Sequence, residues 1–237
     1  DVVYNPFRTE LLLRAEDCGV TAAGGFEMLV AQAVFAAEHF TGSTLDTDTL
    51  IPAVSRRLRH QLANVSLIGM PGCGKSTVGA ALAKRLDKRF VDLDAEIERR
   101  TGHNIPDIFA EEGEEAFRRY EAEVLAEVAK GNSQVIACGG GVVKNPANSR
   151  ALRQNGPVLW VRRPLSRLAT RGRPLSKGGE ALRQMEAERT PLYTAAATAE
   201  LVNDSTPDAL REKLRSVLNG LEKEGTCQKP KSEKEAF

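Results

Sequence analysis

The run V-S-L-I-G-M-P-G-C-G-K-S-T, Val65 to Thr77, decides the fold. V-S-L-I-G reads as a buried strand, and Gly69–Ser76 then matches G-x-x-x-x-G-K-[ST]. Glycines let the backbone wrap around phosphate oxygens with no Cβ in the way. Successive N–H groups and the start of the next helix then face the anion. That chemistry sets Lys75 toward the β- and γ-phosphates of a nucleotide and the Ser76 hydroxyl toward Mg2+. The expected ATP-binding stretch is Gly72, Cys73, Gly74, Lys75, Ser76 and Thr77, with Cys73 at a free position that a small filler residue suffices to occupy. A glycine-rich turn that binds nothing is the competing account. The flanking strand and the helix expected over Lys75–Leu86 speak against it.

Downstream, strand and helix patterns alternate. Arg89–Leu93, Gln134–Cys138, Val158–Val161 and Glu200–Asn203 read as strands. Helices are expected over 94–101, 105–111, 114–129 and Pro207–Leu218. Such alternation predicts an α/β fold: a five-stranded parallel sheet with helices on both faces. Upstream, residues 1–42 read as a small helical segment, with Thr9–Asp17 and Glu27–Phe40 helical around a Gly24-Gly25 break. In the second helix Leu29, Ala33, Ala36 and Ala37 share a face. Residues 43–62 read as a linker ending in a basic helix with Pro52 in its first turn. The unit that carries the phosphate loop spans 63–219. The tail, 220–237, is rich in Lys and Glu and is expected to be disordered.

Composition narrows the function classes. Among 237 residues, Lys+Arg 33 against Asp+Glu 32 leaves a net charge of +1, so nothing points to nucleic acid. No apolar run approaches the roughly 18 residues of a membrane span. The four cysteines, Cys18, Cys73, Cys138 and Cys227, are far apart and fit a reducing cytoplasm.

Further candidates cluster at strand ends, where open parallel sheets bind ligands. Asp92 and Asp94 close the second strand. A carboxylate there can hold a metal-bound water or accept a hydroxyl proton; solvated turn residues that cap a helix are the plainer account. Gly139-Gly140-Gly141 follows the third strand and reads equally as a ligand-admitting or a flexible loop. Arg118, Arg173 and Arg189, each alone a surface charge, become anion clamps beside a phosphate loop.

Together, GMPGCGKST, FVDLD, IPDIFAEEGEEAFRRYE, GGG, RPL and RTPLY resemble the shikimate kinase family, in order, from about Val65 to Leu218. The resemblance implies a P-loop kinase of the nucleoside-monophosphate-kinase type that phosphorylates the 3-hydroxyl of shikimate with ATP and Mg2+. A kinase for another carboxylated polyol such as gluconate, or a nucleotide-binding module without transfer activity, is the alternative. Carried over residue by residue, Asp94 contacts the substrate hydroxyl as base and Asp92 supports Mg2+. Arg118 and Arg189 clamp the carboxylate, and Gly140 and Gly141 touch substrate. Arg173 is the lid arginine on the moving phosphate, and Thr206-Pro207 the adenine-side loop. Two departures stand out. The lid around Thr170–Arg173 is short, leaving Arg167 and Arg171 both candidates for stacking on adenine, and Cys138 precedes the glycines where a hydroxyl residue is more usual.

Residues 1–42 resemble the C-terminal end of shikimate dehydrogenase in D-V-V-Y-N-P, T-x-L-L, G-G-F-E-M-L-V-A-Q-A and F-T-G. The resemblance implies that Tyr4 and Gln32 lie near substrate and Gly25 near a nicotinamide. No dinucleotide fingerprint accompanies them, so a packing module without a site of its own is the working account. With Asp1 in place of an initiating methionine, this leads to the expectation of a fused enzyme carrying two consecutive activities. The apolar residues Leu11, Leu12, Leu29 and Phe35 would then need a partner surface, and the segment would pack loosely on the kinase or be mobile across the 43–62 linker.

Overall fold

The computed structural model describes residues 1–168 and 179–203, together with Glu212 and Ser216, both helical. Five parallel strands form one sheet in the order β2-β3-β1-β4-β5. They are β1 (Val65–Ile68), β2 (Arg89–Asp92), β3 (Gln134–Ala137), β4 (Val158–Arg162) and β5 (Ala199–Val202). Every residue of β1 and β3 is buried, as strands covered on both faces must be. The expected α/β architecture is therefore present, with strand ends within a residue or two of expectation.

The order places β1 in the centre, and the chain leaves its carboxyl edge into the phosphate loop. Gly69, at φ +142°, approaches β4 so closely that a Cβ there would meet the Val161 carbonyl at 2.3 Å. Helix α4 (Lys75–Leu86) follows the loop, as expected. β2 runs into α5 (Leu93–Thr101), then α6 (Ile105–Glu111) and α7 (Gly113–Val128). A turn and α8 (Pro146–Gln154) connect β3 to β4, and α9 (Gly179–Ala196) precedes β5. Among the described residues no helix is long and apolar enough to cross a membrane.

The N-terminal region departs from expectation in three ways. The helix expected at the end of the linker begins earlier: α3 (Thr47–Leu62) starts where the Asp46 side chain caps Thr49 N, so Pro52 falls inside the helix beyond its first turn. α2 (Phe26–Thr41) turns Phe26, Val30 and Val34 inward against Leu50, Ile51, Val54 and Leu58 of α3, leaving Leu29, Ala33, Ala36 and Ala37 exposed. In α1 (Glu10–Asp17), Leu12 and Leu13 are buried and Leu11 is exposed.

Nor does the segment lie loosely. Phe7 N donates to Asn155 Oδ1 at 3.0 Å, and Arg8 N donates to the Gln154 carbonyl at 3.0 Å. Arg150 pairs with Glu10 and Asp17 of α1. Lys88 Nζ donates to the carbonyls of His60, Gln61 and Ala63 at the end of α3. That side chain supplies donors to carbonyls a helix end leaves bare.

Candidate active site

One open pocket of about 620 Å³ lies over the carboxyl edge of the sheet. Its floor is the phosphate loop, with Gly72, Gly74, Lys75, Ser76 and Thr77 all lining it. Cys73 does not line the pocket. Its side chain is fully buried beneath the loop, and its carbonyl accepts from Asn203 Nδ2 at 2.8 Å. Its backbone N–H, the one group it could offer a phosphate, donates to the Met70 carbonyl at 3.3 Å in the structure. The Lys75 ammonium folds back onto its own loop, donating to the carbonyls of Gly69 at 2.9 Å and Met70 at 3.0 Å.

Asp92 serves two purposes. One oxygen accepts from Asp94 N at 3.2 Å and caps α5, while the other accepts from Ser76 Oγ at 2.6 Å. The carboxylate thus caps α5 through one oxygen and takes the Ser76 hydroxyl on the other. Among the described residues no cluster of three or more His, Cys, Asp or Glu forms a metal cage. A hydroxyl plus a single carboxylate next to a phosphate loop still fits Mg2+, which keeps several waters and takes phosphate oxygens as ligands.

Asp94, in the first turn of α5, faces the glycine triplet across the pocket. The three glycines are required by close approach, not by backbone conformation. A Cβ on Gly139 would lie 2.8 Å from Glu121 Oε1 and 3.0 Å from Asp94 Oδ1. One on Gly140 would meet Pro71 at 2.6 Å, and one on Gly141 would meet the Arg118 guanidinium at 2.5 Å. The loop is thus built in, with its backbone between the acid and the arginine.

Arg118 donates to Glu121 Oε2 at 2.8 Å and to Glu114 Oε1 at 3.0 Å. Burial alone would lower its guanidinium, but Glu121 and Glu114 outweigh that and hold it above the usual arginine value. Arg189, one face of α9, is buried and donates to the Gly140 carbonyl at 2.9 Å. Tyr193, one turn further on, donates to the same carbonyl at 2.5 Å and stacks on Trp160. Together they fix the glycine loop to α9.

Glu121 is a functional candidate that sequence reasoning missed. It is 1% exposed, lines the pocket, and its Oε1 is buried without a hydrogen-bond donor among the described residues. Burial pushes its carboxyl up, Arg118 opposes that, and the Asp94 charge adds to it. The signal lay in its spacing three residues after Arg118, which puts both on one helix face. Cys138 lines the pocket as well; burial pushes its thiol far up, so it stays protonated and offers no nucleophile. Arg167 closes a short turn after β4, is exposed, and does not line the pocket. Arg171, Arg173, Thr206 and Pro207 lie outside the described residues, as does most of the helix expected over Pro207–Leu218 and all of the tail.

The chain is similar to known proteins over the region that carries the pocket. The family model "Shikimate kinase" matches residues 71–219. The shikimate kinase of Clostridium botulinum strain Alaska E43 is 40% identical over 159 residues, which are 65% of this chain and 96% of that protein. That of Symbiobacterium thermophilum is 40% identical over 172 residues, 68% of this chain and 98% of that one. Among solved structures, shikimate kinase from Acinetobacter baumannii in complex with shikimate superposes with a TM-score of 0.64 at 34% identity, covering 70% of this chain and 98% of that one. The Aquifex aeolicus enzyme gives a TM-score of 0.59 at 30% identity, with 66% and 96% covered.

Proposed function

Because the chain belongs to the shikimate kinase family, we propose that it transfers the γ-phosphoryl group of ATP to the 3-hydroxyl of shikimate, a step of aromatic amino-acid biosynthesis. The observation that carries the proposal is the glycine triplet, packed between Asp94 and Arg118 on the wall facing the phosphate loop. An acceptor seated there has a carboxylate base at one end, a guanidinium at the other, and the nucleotide's phosphates within reach.

The residues then divide the work. Arg118 and Arg189 hold the shikimate carboxylate, which takes the place of Glu114, the more exposed of the two carboxylates on Arg118. Backbone N–H groups of Gly140 and Gly141 orient the ring. Asp94 accepts the proton of the 3-hydroxyl as its oxygen attacks phosphorus, and the bond to the ADP oxygen breaks in line. Lys75 leaves its loop carbonyls for the β- and γ-phosphate oxygens, and Arg173 approaches them from the lid. Mg2+, held at Ser76 with Asp92 behind it, supplies charge neutralisation to the phosphates. The kinase domain is assigned to 63–219, and the enzyme to the cytoplasm, where free thiols such as Cys18, Cys73 and Cys138 persist.

Arg118→Ala tests the carboxylate clamp. The KM for shikimate should rise roughly tenfold to hundredfold, the effect of one charge-assisted hydrogen bond, with the KM for ATP nearly unchanged. An equal rise in both would refute the clamp.

Residues 1–42 we assign to the C-terminal part of a shikimate dehydrogenase fused upstream. The sequence resemblance supports this, and so do the apolar side chains Met28, Leu29, Phe35 and Phe40, which α2 leaves exposed. Tyr4 and Gln32 are also exposed, and Gly25 is buried against the Val2 carbonyl. The kinase relatives are matched over almost their whole length by about two thirds of this chain. Deleting residues 1–60 should therefore leave most of kcat intact. The melting temperature should fall, because Lys88 loses the His60 carbonyl and Asn155 loses the Phe7 N–H. A folded but inactive product would contradict the assignment.

A further inference from the structure

Arg163 is the pocket cation for which the mechanism above has no task. It stands just past the end of β4 and lines the pocket with Gly72, Gly74 and Lys75. The register explains the placement. Ile68 of β1 pairs with Trp160 of β4, and Gly69 packs on the Val161 carbonyl, so the chain leaving β4 runs beside the phosphate loop. The other pocket cations have acceptors: Lys75 loop carbonyls, Arg118 Glu114 and Glu121, and Arg189 the Gly140 carbonyl through Nη1, although its Nε is buried without an acceptor among the described residues. Arg163 forms no ion pair among the described residues, and its Nε is buried there without an acceptor. A guanidinium that lines the pocket and is unpaired among the described residues can take an anion there.

The strand order says which anion. β3 and β2, carrying the glycine triplet and Asp94, lie on one side of β1, and β4 lies on the other. The acceptor's carboxylate already has Arg118 and Arg189. We infer that Arg163 grips the γ-phosphate of the bound nucleotide, its planar fork matching two oxygens of that group from a rigid strand end. The inference rests on the assignment of ATP as phosphoryl donor, and it adds an arginine at a strand end to Arg173, which the sequence resemblance assigns to the same phosphate.

The test compares ADP with the non-hydrolysable analogue AMP-PNP, each with Mg2+, by calorimetry on the full chain. Arg163→Met should weaken AMP-PNP roughly tenfold to hundredfold and ADP far less. Its melting temperature should not fall, because no hydrogen bond or ion pair among the described residues is lost. Arg163→Lys, which keeps the charge and loses the fork, should fall in between for AMP-PNP alone, and it carries the test if the methionine variant does not fold. Equal losses for the two nucleotides in either variant, or no loss, would overturn the inference. If the unaltered chain binds AMP-PNP but phosphorylates no shikimate, the substrate assignment fails while this comparison still decides Arg163. If the unaltered chain binds neither nucleotide, both fall.

Discussion

Replacing Asp94 with Asn is expected to lower kcat by about 10²–10⁴-fold, the usual contribution of a general base, while leaving ATP affinity nearly unchanged. Asparagine keeps the shape of the side chain and its place in the first turn of α5, so the fold should survive. The carboxylate that takes the hydroxyl proton is lost. The carboxylate of Asp92, two residues earlier, cannot stand in, because its oxygens are committed to the α5 cap and to Ser76. Steady-state kinetics with both substrates varied, alongside ATP titration of the variant, checks this. A variant with most of its kcat would remove Asp94 from the chemistry.

Lys75→Met should be nearly as severe and different in kind. The ammonium is the cation built into the phosphate loop itself, and charge stabilisation of this sort is worth roughly 10²–10³-fold in kcat. Unlike the Asp94 variant, this one should also lose nucleotide affinity. It should lose some stability too, because the Gly69 carbonyl loses its Lys75 donor and the Met70 carbonyl keeps only the Cys73 N–H at 3.3 Å. Measuring ATP binding and the melting temperature beside turnover separates the two variants. Unchanged nucleotide affinity in Lys75→Met would mean that the lysine stays on the loop and never reaches phosphate.

These effects trace to features that were legible in the sequence to unequal degrees. The phosphate loop and the strand-end residues were plain because their chemistry is local: a glycine spacing after an apolar run, an Asp pair or a glycine triplet at a strand end. α4 begins and ends where its sequence says it should. The inward face of α2 was not legible. That helix is apolar nearly all round, so periodicity selects no side, and the face that is buried was settled by α3 packing on Val30 and Val34. Pro52 suggested a helix start, but the Asp46 cap begins the helix earlier. Glu121 and Arg163 were missed because long charged side chains look like surface until tertiary packing buries them. Their importance lies in burial and in unpaired atoms, and neither is written in local pattern.

The measurement that bears most directly on the central claim is acceptor-dependent release of ADP by the purified full chain with ATP and Mg2+. Shikimate is compared with gluconate, with nucleoside monophosphates and with no acceptor, and the product's phosphate position is read by NMR. The expected result is turnover that requires shikimate, a kcat/KM for shikimate far above that for every other acceptor, and phosphate on the 3-hydroxyl. Equal or better turnover of gluconate, or tight ATP binding with no turnover of any acceptor, would contradict it.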